Sequence, residues 1–249
     1  MDAAVRVTMT GSGNAFGDGG LLQTCLHVRA AGRDGALLID CGATALTGLK
    51  RLGHEPNDVS VVAISHLHGD HFGGLPFLIL DGQFRRRLRP LHLVGPPGLA
   101  ARLEQAMEVF FPGSASVARR FAVEVHEVAP GSAAHVEGYE VRAFEADHAA
   151  GAVALALRVG VAGRTIAYSG DGAWTDTLID VADGAHLFVC EAYTFDRAVP
   201  YHLHLPDLIA HLDRLRCERL VLTHAGPQVL GRRADLTLEL AEDGLVVEV

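Results

Sequence analysis

At 249 residues, with 49% hydrophobic and 20% charged residues, the chain can bury a sizeable core, which excludes intrinsic disorder and fits one domain over residues 1–249. A formal net charge of −9 opposes approach of a polyanion and argues against stable nucleic-acid binding. No apolar stretch approaches the roughly 20 residues that span a bilayer, and Met1–Thr8 lacks a basic stretch leading into an apolar run, so no membrane anchor or secretory leader is expected.

Short runs rich in Val, Ile and Leu, each closed by Gly, Pro or Asp, read as strands. In the first half these are Val5–Thr8, Thr24–Arg29, Ala36–Ile39, Val59–Ile64 and Leu91–Val94. In the second half they are Val123–Glu127, Val141–Phe144, Val153–Val159, Thr165–Tyr168, Leu187–Cys190 and Leu220–Thr223, with Val246–Val249 as a terminal edge strand. Helical periodicity appears at Ala45–Leu52, Leu99–Phe110, Trp174–Val181 and Pro206–Leu215, the last with its proline suited to a first turn. Strands cluster with helices among them, so two sheets flanked by helices fit the order better than a doubly wound parallel sheet. Cys25, Cys41, Cys190 and Cys217 form no close pair, which fits a reducing compartment and a cytoplasmic protein.

Histidine is the outlier, with 14 in the chain. After the apolar run ending at Ile64, the segment Ser65-His66-Leu67-His68-Gly69-Asp70-His71 offers four metal-ligating side chains. His66 and His68 point the same way in an extended segment. Gly69 permits a turn, after which Asp70 and His71 can face the same cavity. Two imidazoles can hold one divalent ion while the carboxylate and the third imidazole hold another, a donor set that suits Zn, Fe or Mn. Further polar residues follow strands later in the chain: His148 after Val141–Phe144, Asp171 after Thr165–Tyr168 and His224 after Leu220–Thr223. A carboxylate such as Asp171 can bridge two ions, with His148 and His224 each completing one.

This chain resembles the metallo-β-lactamase superfamily, in particular its ribonuclease Z-like and phosphodiesterase-like branch. The likeness runs through Gly11-Ser12-Gly13-Asn14, Leu38-Ile39-Asp40-Cys41-Gly42, the His66–His71 motif and Leu222-Thr223-His224. It implies an α/β fold, an αββα sandwich of two mixed β-sheets flanked by helices. It also implies a first metal on His66, His68 and His148, a second on Asp70, His71 and His224, and Asp171 bridging. Asp40 takes an orienting role behind the ligands. The family usually reads Gly-Asp-Thr where this chain has Gly170-Asp171-Gly172. Relatives that process transfer RNA insert a basic arm after the third metal histidine, but His148 and Asp171 are only 23 positions apart, room for two strands and a turn.

The expected activity is hydrolysis by two divalent ions, Zn foremost with Mn or Fe as alternatives, sharing a bridging hydroxide as nucleophile. The substrate is expected to be a small or nucleotide-like phosphodiester. A lactone, thioester or other carboxylic substrate is the alternative, since the same ions polarise a carbonyl, and a non-catalytic metal-binding module is a second. Asp70 counts with the catalytic group as well as the ligands. For the leaving-group proton, the resemblance points to His202, with His204 two residues on as competitor. His27, His92 and His126 lie in strand-like segments and read as structural or surface histidines. Arg85-Arg86-Arg87 with Arg89 reads as a solvated turn, with enough charge to orient one or two phosphates. Phe77–Leu80 reads as cavity wall and core, and Trp174 either lines the pocket or packs. Related proteins are often dimers, which makes a homodimer the assembly to look for.

Overall fold

The computed structural model describes residues 4–249; Met1–Ala3, where the segment read for a leader begins, lie outside the described residues. In chain order the first half runs β1 (Val5–Gly11), β2 (Cys25–Ala30), β3 (Ala36–Ile39), α1 (Ala45–Arg51), β4 (Val59–Ala63), α2 (Gly69–Phe72), α3 (Leu75–Phe84), β5 (Leu91–Gly95), α4 (Leu99–Phe110) and β6 (Val123–Glu127). The second half runs β7 (Ala133–Val136), β8 (Tyr139–Ala146), β9 (Ala154–Val161), β10 (Arg164–Tyr168), α5 (Thr177–Ala182), β11 (Leu187–Glu191), α6 (Leu205–Ala210), β12 (Leu220–Thr223), α7 (Pro227–Leu230), β13 (Glu239–Leu240) and β14 (Val246–Glu248).

The strands form two seven-stranded sheets, ordered β14-β1-β2-β3-β4-β5-β6 and β13-β12-β11-β10-β9-β8-β7. Strands β3 to β6 run parallel, as do β10 to β13, and the other pairs are antiparallel. The inner parallel strands β3, β4 and β11 read as near-continuous apolar runs because both of their faces are buried, unlike the edge strands β6 and β13. Leu37 and Ile39 of β3 and Val61 and Ala63 of β4 enter the core between the sheets. Leu38 and Val62 alternate into a second core under α1, α3 and α4, with Leu49, Leu78, Ile79 and Leu103. A third core packs α5, α6 and α7 on the other sheet through Val181, Leu208 and Val229. The result is the expected layering, helices on the outside of two mixed sheets.

Several elements differ from the sequence reading. Phe77–Leu80 lies inside α3, whose run Leu75–Leu80 is apolar on every side and so carries no helical period to read. The helix expected over Pro206–Leu215 breaks at His211 into α6 and a 3₁₀ turn at Leu212–Arg214. Trp174 precedes α5 and stacks flat on His211, ring centroids 4.4 Å apart, so it packs. Strands β7 and β13 were too short to stand out.

The arginine cluster is a solvated turn only in part: Arg85 and Arg86 are exposed, but Arg87 is not available to a phosphate. Arg87 is buried and its Nη2 donates to the carbonyls of Val59 (2.6 Å) and Pro90 (2.8 Å), with the guanidinium 5.4 Å above the Phe121 ring. Burial and the neighbouring Arg89 charge pull its pKa down to about 10. Arg85 pairs with Glu55. The cluster closes the starts of β4 and β5, whereas the His66–His71 motif follows the end of β4.

Candidate metal centre

All seven metal-ligating residues named from the sequence converge at one end of the sandwich. His66, His68, Asp70 and His71 follow β4, His148 follows β8, Asp171 follows β10 and His224 follows β12. Strand ends of this kind are where open α/β sheets leave a crevice. Gly42 lets the loop holding Asp40 nest beneath the histidine loop, since a Cβ there would meet the Asp70 carbonyl oxygen at 1.9 Å. Asp40 and His224 both adopt left-handed backbone, with φ 60° and 56°, a conformation that side-chain-bearing residues hold only when their surroundings enforce it.

Asp40 orients two of the candidate ligands from behind. Its Oδ2 accepts from His71 Nδ1 (2.7 Å) and from Ser65 Oγ (2.8 Å), and its Oδ1 accepts from the Ser65 amide (2.7 Å). Because the Ser65 proton goes to Asp40, His66 Nδ1 donates to Ser65 Oγ at 3.0 Å. His148 Nδ1 donates to the Tyr201 carbonyl at 2.6 Å. With Nδ1 committed in this way, His66, His71 and His148 would each, once deprotonated at Nε2, present a bare nitrogen to the cleft.

Those bare nitrogens have no adequate protein partner. Around the first group, His68 Nδ1 lies 3.2 Å from His66 Nε2 and 3.1 Å from His148 Nε2. One proton on His68 serves one of them, whereas a cation between the three serves all. In the second group, His71 Nε2 is 3.1 Å from Asp70 Oδ2 and 3.3 Å from Asp171 Oδ2, and His224 Nε2 is 3.3 and 3.4 Å from the same oxygens. Tetrahedral ligands about 2.0–2.1 Å from zinc lie about 3.3 Å from one another, which is the spacing of both groups. His71 Nε2 and Asp171 Oδ1 are buried without hydrogen-bond partners. The residues present thus fit divalent cations.

The electrostatics agree with the geometry. Burial, then the neighbouring His71 charge, holds His66 well below the ordinary histidine value, and burial with His148 lowers His68. Burial would raise Asp171, but His224 and His71 outweigh it and hold the carboxyl well below the usual range. Burial opposes charge on His224, yet Asp171, Asp70 and Glu191 push it up to about 10. Buried carboxylates here need cationic partners, which protons supply on the imidazoles and metal ions supply better.

The two candidate proton donors part company. His202 enters the cleft, its ring 4.9 Å from that of His148 and stacked at 6.2 Å on that of His224. Its Nδ1 donates to Glu191 Oε1 at 2.6 Å, which leaves Nε2 free. Burial lowers its pKa, but the Glu191 hydrogen bond and charge prevail and raise it. His204 instead occupies the N-cap position of α6, and its Nε2 donates to the Phe195 carbonyl at 2.7 Å, away from the cluster. Glu191, at the end of β11, was missed from the sequence. It is buried, and its Oε2 accepts from the amides of Gly172 (2.8 Å) and Leu203 (3.0 Å).

Known proteins resemble this chain throughout. The ribonuclease Z of Haloferax volcanii is 39% identical over 149 residues, which cover 57% of this chain and 44% of that protein, so the match spans less than half of the relative. The ribonuclease Z of Mycobacterium sp. strain KMS is 29% identical over 93% of this chain and 88% of its own. Among solved structures, the short form of human tRNase Z superposes with a TM-score of 0.79 at 25% identity, covering 97% of this chain and 98% of its own. The metallo-β-lactamase fold protein YhfI of Bacillus subtilis gives 0.78 at 20% identity, covering 99% and 100%. The chain therefore has the metallo-β-lactamase fold and stands, with its histidine and aspartate clusters, among metal-dependent, phosphodiesterase-like hydrolases. Residues 5–244 match the family described as "Anti-Pycsar protein Apyc1", and the chain belongs to that family.

Proposed function

We propose that this chain is a binuclear, metal-dependent phosphodiesterase for small or nucleotide-like phosphodiesters, built as one domain. The observation that carries the reading is the pair of adjoining ligand groups with unpartnered nitrogen and oxygen atoms at metal-ligand spacing, beside a histidine held by a buried carboxylate. His66, His68 and His148 would hold one ion, and Asp70, His71 and His224 the other. Asp171 would bridge the two: its Oδ2 faces His71 and His224, and its Oδ1 is buried without a hydrogen-bond partner. The imidazole-rich donor set favours zinc, and Mn or Fe can take the same ligands. Such ions supply Lewis acidity toward a phosphoryl oxygen and bring the pKa of water toward neutrality.

The chain's own residues do the rest. Asp40 fixes the ring orientation of His71 and, through Ser65, of His66. Glu191 holds the proton on His202 Nδ1 and favours the imidazolium, so Nε2 can deliver a proton to the departing oxygen. The short link from His148 to Asp171 supports a small substrate: β9 and β10 are joined by a two-residue turn at Ala162-Gly163, and no arm projects there. Among the described residues no helix is long and apolar enough to cross a membrane, and the four cysteines are free, which supports a cytoplasmic location.

Hydrolysis of bis-p-nitrophenyl phosphate by metal-reconstituted protein, with none on lactone and thioester panels, is the expected result. Turnover of the carboxylic substrates alone would move the chemistry from phosphorus to carbon.

A further inference from the structure

The open edge of the sandwich carries a second set of metal-ligating side chains, remote from the centre described above. His92 on β5 is the register partner of Glu124 on β6, and His126 follows two residues along, so the three side chains leave the sheet on one face. Leu91 and Leu93, flanking His92, point the other way into the core under α3 and α4. Strand β6 ends one sheet and β7 ends the other. The turn after β7 brings Glu137 to the same place. His92 lies level with Val61 of β4, which sets it about 15 Å from His66 along the strand direction alone.

The distances match those of a ligand set. His92 Nδ1 is 3.3 Å from His126 Nε2 and 3.4 Å from Glu124 Oε2, close to the separation of about 3.3 Å expected between tetrahedral zinc ligands. Glu137 Oε1 lies 3.6 Å from the other ring nitrogen, His92 Nε2. That separation is just beyond a hydrogen bond, but the negative charge behind the imidazole favours the proton on the far nitrogen and leaves the near one bare. A proton on His92 Nδ1 serves one of the two groups facing it; a divalent cation serves both. His92 is largely buried while Glu124 is half exposed, so the ligand atoms are anchored yet reachable from solvent.

We propose that His92, Glu124 and His126 bind one further divalent transition-metal ion, zinc matching the two imidazoles and one carboxylate, with Glu137 orienting His92. Bound there, the ion ties β5 to β6 and fastens the turn after β7 across the mouth of the sandwich.

The test compares wild-type protein with the Glu124→Gln/His126→Gln variant after equilibration with buffered micromolar Zn²⁺ and removal of free metal. Elemental analysis is expected to find one more equivalent of zinc in the wild type, and added Zn²⁺ to raise its melting temperature more than that of the variant. Because the result is a difference, it does not depend on how many ions the other centre holds or on what it hydrolyses. Equal zinc content in the two proteins overturns the proposal. Glu124→Gln alone, on a half-exposed side chain, tests it without disturbing the fold. That variant should bind the additional ion at least tenfold more weakly, and unchanged affinity for it overturns the proposal equally.

Discussion

Replacing Glu191 by Gln removes a negative charge from a buried position while keeping the shape of the side chain. The amide oxygen can still accept from Gly172 and Leu203, but the group facing His202 Nδ1 becomes an NH₂ donor. His202 must then turn Nδ1 into an acceptor and lose the charge that made it a strong acid. A hydrogen bond to a charged group contributes about 1.5–3 kcal/mol, which converts to a loss of about 10- to 150-fold in kcat if it is realised only in the transition state. The sign of the pH effect follows from the raised pKa of His202: without Glu191 it falls toward the ordinary value, so the protonated form, and the activity limb that needs it, retreats to lower pH. The assay is kcat against pH for a diester with an alkoxide leaving group and for bis-p-nitrophenyl phosphate. The loss should be large for the first and small for the second, since nitrophenolate scarcely needs protonation. Metal content must be measured alongside, because Glu191 also lies 3.5 Å from His224 Nδ1. Paired side chains acting as one unit are non-additive, so Glu191→Gln should cost little more on top of His202→Ala. Equal losses for the two leaving groups, or full additivity of the two substitutions, would refute the assignment.

Other expectations follow from the same geometry. Asp171→Ala should lose at least one of two bound divalent ions by elemental analysis, because removing the shared carboxylate leaves two cations repelling each other; two full equivalents in the variant would remove Asp171 as the bridge. His202→Ala should retain both metals and lower turnover by about 10²–10⁴-fold, while His204→Ala, turned toward Phe195, should leave kcat nearly unchanged. The reverse pattern would exchange their roles. His27 is held neutral at a pKa of about 3 by burial, then by the His54 and Arg29 charges, so the unfolded chain takes up a proton below pH 6.5 that the folded chain refuses. Stability from this residue is therefore present above pH 6.5 and lost as pH falls; between pH 7 and pH 5 wild type should lose about 2 kcal/mol more than His27→Gln in denaturant titrations. At near-physiological salt, kcat/KM should be high for a small phosphodiester and poor for a precursor tRNA; efficient 3′ cleavage of the tRNA would contradict the small-substrate reading.

The fold was legible wherever burial imposes a period. Buried parallel strands advertise themselves as near-continuous apolar runs, and Ala36–Ile39 and Leu220–Thr223 coincide with observed strands, while the edge strand Val123–Glu127 showed instead by alternation. Helix α4 was equally clear because Leu99, Leu103 and Met107 recur at helical spacing on one face. Helix α3 failed the same test for a physical reason: it is apolar all round. Arg87 was misread because a sequence reports its charge but not the carbonyls of Val59 and Pro90 that make its burial tolerable.

The candidate ligand residues were legible because His66, His68, Asp70 and His71 crowd into one loop, a grouping of side chains whose chemistry suits a metal. Glu191 stood alone, a single acid closing an apolar strand, which by itself describes many solvent-facing strand ends. Sheet order is what gives it meaning. In the order β10-β11-β12, three parallel strands in succession, β11 lies between the strand leading to Asp171 and the strand leading to His224. A residue at the end of β11 must therefore fall between those two ligands, and a carboxylate there is buried beside the centre. Once a centre is placed after two strands of a parallel trio, the terminal residue of the middle strand becomes a candidate on topology alone. The same logic works in reverse at the far edge, where His92 and Glu124 became neighbours only when β5 and β6 were paired in register. Side chains gathered by one loop are visible in a sequence, whereas those gathered by strand pairing appear only with the fold.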